Sequence, residues 1–373
     1  DGRTLSARDS KPDSRTAARE VPGSDRRWNR RSFLRSFAAG TAGAALLGSA
    51  ARTRGEEAAA AEAGDAEAAA DSARTTPAEA KRFDPDAVRS NVEVAQAAPR
   101  TPSSMPGPYP GRVCEVTHPR AVVDGRPQAE AAAAMLAAGL RELTGEADAA
   151  AAWRRFVSPT DRVGLKLNPI GGKLLANSHE LVAAIVAGLE SAGVPRGNIL
   201  LWDRREADLR ETGFTAERYP GLTCIGTEYS VVEEGKEQWR GLDRLDQSVF
   251  YEFDLPGEYD EETMPYMLNG GTKSFYTRIL TEQVDKVINV PVLKNAGPSV
   301  TLCLKNLAYG ATSNTARGHQ IWSRFIAEAC AFPPIRDKTV LHIIDGLRGC
   351  YDGGPAAVAR YIWSSGTIWL ATD

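Results

Sequence analysis

Residues 162–202 contain two short apolar runs separated by a stretch of helical periodicity, and few folds are compatible with this pattern. The runs at residues 162–167 and 198–202 have the length and the Val, Leu and Ile content of buried strands. Between them, residues 177–192 repeat Leu, Val and Ile along one face of a helix. Two strands joined through a helix run parallel, with a right-handed crossover. The sequence therefore predicts an α/β fold with a mostly parallel open sheet flanked by helices.

The rest of the sequence supplies the further strands and helices that such a sheet needs. From about residue 228 to residue 283 the chain is polar without a clear period, so it is predicted to form an irregular insertion over one edge. At the start of the helix in residues 177–192, Asn177 and Glu180 have capping-box spacing, which predicts Asn177 as the cap. Apolar runs predict strands, and helical stripes predict helices, at residues 111–116, 128–143, 222–226, 284–290, 320–331 and 340–344.

The amino-terminal part of the sequence has the layout of an export signal. Residues 1–29 are polar and are predicted to be disordered. Arg30 and Arg31 precede Phe33 and then a run of small, uncharged, apolar residues. Residues 30–51 are therefore predicted to be a twin-arginine (Tat) signal peptide, which implies the twin-arginine translocase as a partner and a periplasmic or extracytoplasmic location. The alternative is a short buried helix that begins at Phe33. The apolar run is too short for a stable membrane span.

The boundaries of the folded domain follow from composition. Residues 52–110 are rich first in Ala and Glu and then in Pro, which predicts a linker. The α/β domain is predicted to occupy residues 112–373. Because the sequence stops directly after the strand-like run at residues 367–370, we interpret it as a fragment that is incomplete at its carboxyl end.

Charge and cysteine content exclude some classes of protein. The whole chain has a net charge of −3, but residues 1–54 carry 12 basic and 5 acidic side chains, which leaves −10 for the remainder. An acidic body without a basic stripe excludes a nucleic-acid-binding function. The 5 cysteines include no C-x-x-C pair, so no iron–sulfur cluster or zinc knuckle is expected within the fragment. The spacing leaves any disulfide pairing, and the identity of any metal or cofactor, open.

Polar side chains stand where the predicted strands end. In an open parallel sheet, ligands bind outside the carboxyl ends of the strands. These side chains are therefore expected to surround one crevice that binds a small anionic or polar ligand. The alternative is that they are ordinary polar residues of loops. In chain order they are Lys166, Asn168, Asp203, Asn289, Lys294 and Asp345.

A second polar group follows the strand at residues 284–290. Lys305 and Asn306 interrupt an apolar run, where an unpaired charge is costly. Lys305 is therefore expected either to pair with a carboxylate such as Asp203 or Asp345, or to face an anionic ligand. The next loop adds an amide, a guanidinium and an imidazole, which belong to Asn314, Arg317 and His319.

The candidate roles follow from these residue types. His179 lies in the first turn of its predicted helix, where the helix dipole disfavours an imidazolium. A neutral ring there could bind a metal or relay a proton, or it could simply face water. The catalytic candidates are His179, His319, Asp203 and Asp345. The ligand-binding candidates are Lys166, Asn168, Lys294, Lys305, Asn306, Asn314 and Arg317.

Several of these residues lie in motifs that together resemble a known family. The motifs are Lys166-Leu167-Asn168-Pro169, Ser178-His179-Glu180-Leu181-Val182, Asp203-Arg204, Val290-Pro291-Val292-Leu293-Lys294, Leu304-Lys305-Asn306, Asn314 with Arg317 and His319, and Ile344-Asp345-Gly346. In this order they resemble the domain of unknown function 362 family, from about residue 112 to the end of the chain. Many relatives also look twin-arginine exported, which agrees with Arg30 and Arg31.

The resemblance carries two further implications. Relatives commonly have a histidine shortly after the position of Lys294, where this chain has Asn295 and Ala296. A metal-binding or proton-relay role of that histidine would therefore be absent here. Some relatives are joined to ferredoxin-like cluster domains, which implies that they work with redox proteins. No cluster motif in this fragment matches those domains.

The sequence thus predicts an exported protein of unknown specific activity, interpreted as an enzyme that binds a small anionic or polar ligand. In this interpretation the lysines hold the anion, the histidines act as acid, base or metal ligand, and the aspartates orient them. Two alternatives stay open, namely a non-catalytic periplasmic ligand-binding protein and an accessory protein to a redox or iron–sulfur system.

Overall fold

The computed structural model describes residues 84–257, 271–296 and 299–373. The predicted disordered segment and signal peptide, and the predicted linker as far as residue 83, lie outside the described residues. No helix in the described ranges is both long enough and apolar enough to cross a membrane.

The strands and helices alternate through most of the described chain. The strands are β1 (Val113–Thr117), β2 (Val122–Val123), β3 (Arg126–Pro127), β4 (Val163–Lys166), β5 (Ile199–Arg205), β6 (Thr223–Glu233), β7 (Lys236–Arg240), β8 (Leu245–Gly257), β9 (Gly271–Thr277), β10 (Lys286–Asn289), β11 (Val292–Ala296), β12 (Ser299–Thr301), β13 (Thr339–Cys350) and β14 (Ile362–Ala371). The α-helices are α1 (Val92–Ala97), α2 (Ala129–Thr144), α3 (Ala149–Trp153), α4 (His179–Ser191), α5 (Glu206–Glu211), α6 (Cys303–Ala311), α7 (Trp322–Ala331) and α8 (Pro333–Arg336).

One mixed sheet organises the domain. Within the described residues its strand order is β1-β14-β13-β10-β4-β5-β6-β7; off this path, β11 pairs with β13, and β12 pairs with β11. Strands β13, β10, β4, β5 and β6 run parallel to one another, whereas β1, β14 and β7 pair antiparallel at the two edges. The predicted α/β class, with a mostly parallel sheet flanked by helices, is confirmed.

Alternating side chains give the sheet two apolar faces. In β4, Leu165 packs with the buried side chains of α2 and α4, such as Leu140 and Leu181. On the opposite face, Trp202 of β5 packs with α6, α7 and the β8–β9 hairpin. Burying each large apolar side chain stabilises the fold by about 1.5–3 kcal/mol. Because helices cover both faces, the polar groups of the parallel strands collect at the carboxyl edge.

The folded part of the chain begins before the predicted domain boundary. Within the predicted linker, residues 84–110 contain α1 and pack against the domain. The guanidinium of Arg336 donates hydrogen bonds of 2.9 Å to the carbonyls of Ala95 and Pro99, and the amide of Met105 donates to the carbonyl of Arg336. Proline content correctly indicated a mostly irregular backbone, but it gave no sign that a distant arginine satisfies the carbonyls of that backbone.

The predicted insertion is more regular than expected. From residue 228 to residue 283 the chain holds the end of β6, all of β7, and the antiparallel pair β8–β9. The β8–β9 register shifts twice, between Asp246 and Phe250 and between Glu252 and Gly257. Each shift breaks the two-residue alternation by which a strand is recognised in a sequence.

The start of α4 differs from the predicted capping box. The structure makes Ser178 the cap residue, so the prediction that Asn177 caps the helix is wrong. The backbone amide of Ser178 donates a 2.6 Å hydrogen bond to Oδ2 of Asp345 on β13. Asn177 instead links two loops, because its Oδ1 accepts from the amide of Asn168 and its Nδ2 donates to the carbonyl of Val290. A carboxylate from another strand thus replaces the local cap.

Candidate functional site

The candidate site lies at the carboxyl edge of three neighbouring strands. In register, Asn289 of β10 stands beside Lys166 of β4, and Lys166 stands beside Trp202 of β5. The next residue of β5 is Asp203, so the ends of three strands bring an amide, an ammonium and a carboxylate together. Helix α6 packs against all three strands.

Lys166 is the centre of a buried hydrogen-bond network. Its side chain is 1% exposed, and its Nζ donates to Oδ1 of Asp203, to the carbonyl of Leu167 at 2.7 Å and to Oδ1 of Asn306 at 3.1 Å. The ammonium also lies 5.5 Å from the ring centroid of Trp202. Burial lowers the pKa of Lys166, and the contact with Asp203 opposes that effect. Its charge is therefore matched within the protein.

A glycine allows α6 to approach this ion pair. A side-chain carbon added to Gly310 would collide with Cε and Nζ of Lys166. The helix can lie directly over the ammonium only because residue 310 has no side chain. Gly310 therefore sets the distance between α6 and the end of β4.

Three asparagines continue the network away from Lys166. Asn306 accepts from Nδ2 of Asn168 and donates from its own Nδ2 to Oδ1 of Asn289, both at 2.8 Å. Asn289 in turn donates to the carbonyl of Cys303 and to Nδ1 of His342, both at 2.9 Å. The side-chain amides of Asn289 and Asn306 are held through both the oxygen and the nitrogen, whereas within the described residues that of Asn168 is held only through Nδ2. The network thereby fixes the side chains around Lys166.

His342 ends this network and was not among the predicted residues. It is fully buried on β13, and burial lowers its pKa to about 4. Because Nδ1 accepts from Asn289, the proton of the neutral ring lies on Nε2, which has no hydrogen-bond partner in the described residues. A lone histidine inside the apolar run at residues 340–344 was the available signal.

Lys294 is a second buried lysine, but its surroundings differ from those of Lys166. The residue lies on β11 and is 2% exposed, and its Nζ has no hydrogen-bond partner among the described residues. Burial lowers the pKa of Lys294 to about 7, and the nearby ammonium of Lys305 adds to this effect. The carboxylate of Asp203 opposes it. Lys294 therefore shares one electrostatic environment with Lys305 and the Lys166–Asp203 pair.

Lys305 lies beside two aromatic rings, those of Tyr309 and Trp322. From α6 its Nζ lies 5.4 Å from the ring centroid of Tyr309 and 4.9 Å from that of Trp322. The ring of His319 is exposed and lies tilted against Tyr309, with the ring centroids 4.6 Å apart. Lys305 thus stands between the buried lysines and the side of the domain that carries His319.

Acidic and basic side chains beyond β5 form a further group. Arg204 and Arg205 both contact the fully buried carboxylate of Glu228, and Arg204 also donates to the hydroxyl of Thr315 at 2.8 Å. Asp208 on α5 was not a predicted site residue. Burial, and then the charge of Asp203, raise its pKa to about 6. The sequence signal was weak, because Asp208 lies in a run of charged residues typical of a solvated helix.

Asp345 lies on β13, the strand that pairs with β11, which carries Lys294. In register it faces Val292, two residues before Lys294. Its carboxylate binds the backbone and hydroxyl of Ser178 rather than a lysine, and burial raises its pKa to about 6. Asp203, one of the two carboxylates considered as a partner for Lys305, forms an ion pair with Lys166.

The other predicted residues lie in separate surroundings. The ring nitrogens of His179 bind the hydroxyl of Tyr219 at 2.7 Å and the carbonyl of Thr212 at 3.0 Å. Asn314 donates to the carbonyl of Lys273 and adopts a positive φ of 52°. Arg317 stacks on Phe253 and donates both to the carbonyl of Phe253 on β8 and to the hydroxyl of Ser274 on β9. These contacts account for His179, Asn314 and Arg317 structurally.

The structure therefore divides the predicted residues into two sets. Hydrogen bonds or direct electrostatic effects join Lys166, Asn168, Asp203, Asn306, Lys294 and Lys305. We call these six residues the lysine cluster. Within the part of the chain that the structure describes, no three His, Cys, Asp or Glu side chains are grouped to hold a metal ion. The five cysteines are all free thiols.

Comparisons with known proteins give a family model and a distantly similar structure. Residues 241–373 match the model of the family described as domain of unknown function (DUF362), a match that begins later than the motif resemblance. No curated protein matches the sequence. A crystal structure of a protein from Thermotoga maritima is similar at 10% identity and a TM-score of 0.33, over 62% of this chain and 53% of that chain. The chain thus spans about half the length of that protein.

Proposed function

Since residues 241–373 belong to the domain of unknown function 362 family, we propose that the chain is an exported protein that binds a small anionic ligand at the lysine cluster, with Lys294 as its main contact. The observation that carries this proposal is the buried Nζ of Lys294, which has no hydrogen-bond partner among the described residues. The family match includes Lys294 and Lys305 but not Lys166 or Asp203.

An anionic ligand is favoured because it would lower the energy of the buried lysines. Burying an unpaired ammonium costs several kcal/mol, because no partner replaces its hydration. Lys166 avoids this cost through Asp203, whereas Lys294 has a second cation, Lys305, as its strongest charged neighbour. An anion placed against Lys294 and Lys305 would remove both the desolvation cost and their mutual repulsion.

We propose further that the protein is an enzyme rather than a passive binding protein. Catalytic acids and bases work best when their pKa lies near the operating pH. Both Lys294 and Asp208 meet this condition, with pKa values near 7 and near 6 respectively. Asp203 acts electrostatically on both of them and raises the pKa of each. A non-catalytic ligand-binding protein and a redox accessory protein are the alternatives.

The binding proposal is tested with sulfate, which keeps its charge of −2 between pH 6 and pH 8.5. Titration of the full chain by calorimetry should give binding about tenfold tighter at pH 6 than at pH 8.5, because Lys294 loses its proton over this range. Lys294→Met should abolish binding at both pH values. Lys236→Met, which removes an exposed lysine from β7, is the matched control and should bind as the native chain does. Native-like sulfate binding by Lys294→Met would refute the proposal.

Export is proposed from the sequence alone, because Arg30 and Arg31 lie outside the described residues. Replacing both with Lys should retain the precursor in the cytoplasm, since the twin-arginine translocase reads the arginine pair. Fractionation of cells that express the full chain measures this. Processed double-Lys protein outside the inner membrane would overturn the assignment of signal, partner and location.

A further inference from the structure

Lys294 has the surroundings of an amine that reacts with carbonyl compounds. A lysine nucleophile must be uncharged, and proteins achieve this by removing it from water and placing another cation beside it. Lys294 has both features, because it is buried without a hydrogen-bond partner among the described residues and Lys305 is its strongest charged neighbour. Lys166 lacks the second feature, since the charged group in contact with its Nζ is the carboxylate of Asp203 rather than a cation.

We propose that Nζ of Lys294 forms a Schiff base with the carbonyl carbon of a small 2-oxo acid, whose carboxylate lies against the ammonium of Lys305. The proposal rests on the anion-binding function above and names the substrate class of the same site. A 2-oxo acid carries its carboxylate next to its carbonyl carbon, so one small ligand can meet an amine nucleophile and a neighbouring cation together.

The reaction is balanced without an oxidant or a reductant. The uncharged amine of Lys294 attacks the carbonyl carbon, a C–N bond forms, and the carbonyl oxygen leaves as water with the two protons that the nitrogen loses. The groups that act on Lys294 come from four elements, namely Lys305 on α6, Asp203 on β5, Cys350 on β13 and Lys166 on β4. Asp203 is the carboxylate among them, and it forms an ion pair with Lys166.

The test is reductive trapping on the full chain. Pyruvate and sodium borohydride should add the mass of one reduced pyruvate adduct, and peptide mapping should place it on Lys294. Lys294→Met should lose this adduct, whereas Lys236→Met should keep it. An adduct spread over surface lysines, or one that survives unchanged in Lys294→Met, would overturn the proposal.

Two further measurements keep the proposal testable if the Met variant fails to fold. In the native chain, the rate of adduct formation on Lys294 should be half-maximal near pH 7, because burial and Lys305 lower the pKa of Lys294 to about 7. Lys305→Met should reduce trapping of pyruvate about tenfold more than trapping of acetaldehyde, which has no carboxylate. Equal losses with both carbonyl compounds would contradict the role of Lys305.

The outcomes separate this proposal from the anion-binding function. Sulfate that binds through Lys294, without any pyruvate adduct on that residue, would end the Schiff-base proposal and leave anion binding intact. Absence of both sulfate binding and the adduct would end both proposals. Competition of sulfate against adduct formation is the result expected if both hold.

Discussion

The ammonium of Lys166 is bound to the carboxylate of Asp203, 37 residues further along the chain, at the point where β4 and β5 end side by side. Gly310 of α6 lies directly over this pair. The contact therefore joins two strands and a helix, and its loss should affect both the stability of the domain and the shape of the lysine cluster.

Lys166→Met is expected to destabilise the domain by about 3–5 kcal/mol, because it leaves the carboxylate of Asp203 buried without its partner. Urea unfolding followed by circular dichroism measures the change. Adding Asp203→Asn should recover part of the loss, since the orphaned charge is then removed. A double variant no more stable than Lys166→Met would show that the two side chains are not energetically coupled.

Gly310→Ala should destabilise the domain by about 1–3 kcal/mol, because the new methyl group has no room beside Lys166. Gly197→Ala is the matched control, since nothing lies within 4 Å of its added carbon. Thermal unfolding of both variants makes the comparison. Equal melting temperatures for the two variants would mean that α6 does not lie as close to Lys166 as described.

Lys294→Met is expected to be more stable than the native chain by about 1–3 kcal/mol at pH 7. The folded pKa of Lys294 is lowered to about 7, so between pH 7 and pH 10 the unfolded chain binds more protons than the folded chain. Native stability should therefore rise with pH across that window, and the advantage of the Met variant should shrink. Urea unfolding at pH 7 and pH 10 measures it, and a gap independent of pH would contradict the burial of an uncharged amine.

Asp345→Asn should stabilise the domain by about 1–3 kcal/mol at pH 8, with the effect vanishing near pH 4. The folded pKa of Asp345 is raised to about 6, so the ionised carboxylate lowers stability as pH rises through this value. The Asn side chain still offers an oxygen to the amide of Ser178, which keeps the start of α4 capped. Asp148→Asn, at the exposed start of α3, controls for loss of a carboxylate from a helix end. A destabilised Asp345→Asn at pH 8 would disprove the account.

The strand–helix–strand unit around β4, α4 and β5 was predictable because each element has a clear period and buries one apolar face. The same signal put Lys166 and Asp203 at neighbouring strand ends, so their proximity could be anticipated. Helix α6 could not be found in this way. It begins at Cys303 after Leu302, which offers no side-chain cap, and its apolar residues continue those of β12 without a break. Lys305 and Asn306 were therefore noticed as polar interruptions but not placed on a helix.

Contacts between distant segments account for the rest of what sequence reasoning missed. The capping of Ser178 by Asp345 depends on how closely β13 approaches α4, which no local pattern records. Asp208 gains its raised pKa from burial beside Asp203, although its own neighbours in sequence are those of a solvated helix. His342 became interpretable only when Asn289 was found to occupy its Nδ1.

The support around Lys166 is built chiefly from the carboxamides of Asn168, Asn289 and Asn306. Carboxamides neither gain nor lose protons in the range of pH at which proteins fold, so this part of the cluster keeps the same donors and acceptors from acidic to alkaline solution. Titration is confined to side chains set around it, above all Lys294 and Asp208. A change in the acidity of the surroundings would therefore alter the charge presented to a ligand while the scaffold that positions Lys166 stays fixed.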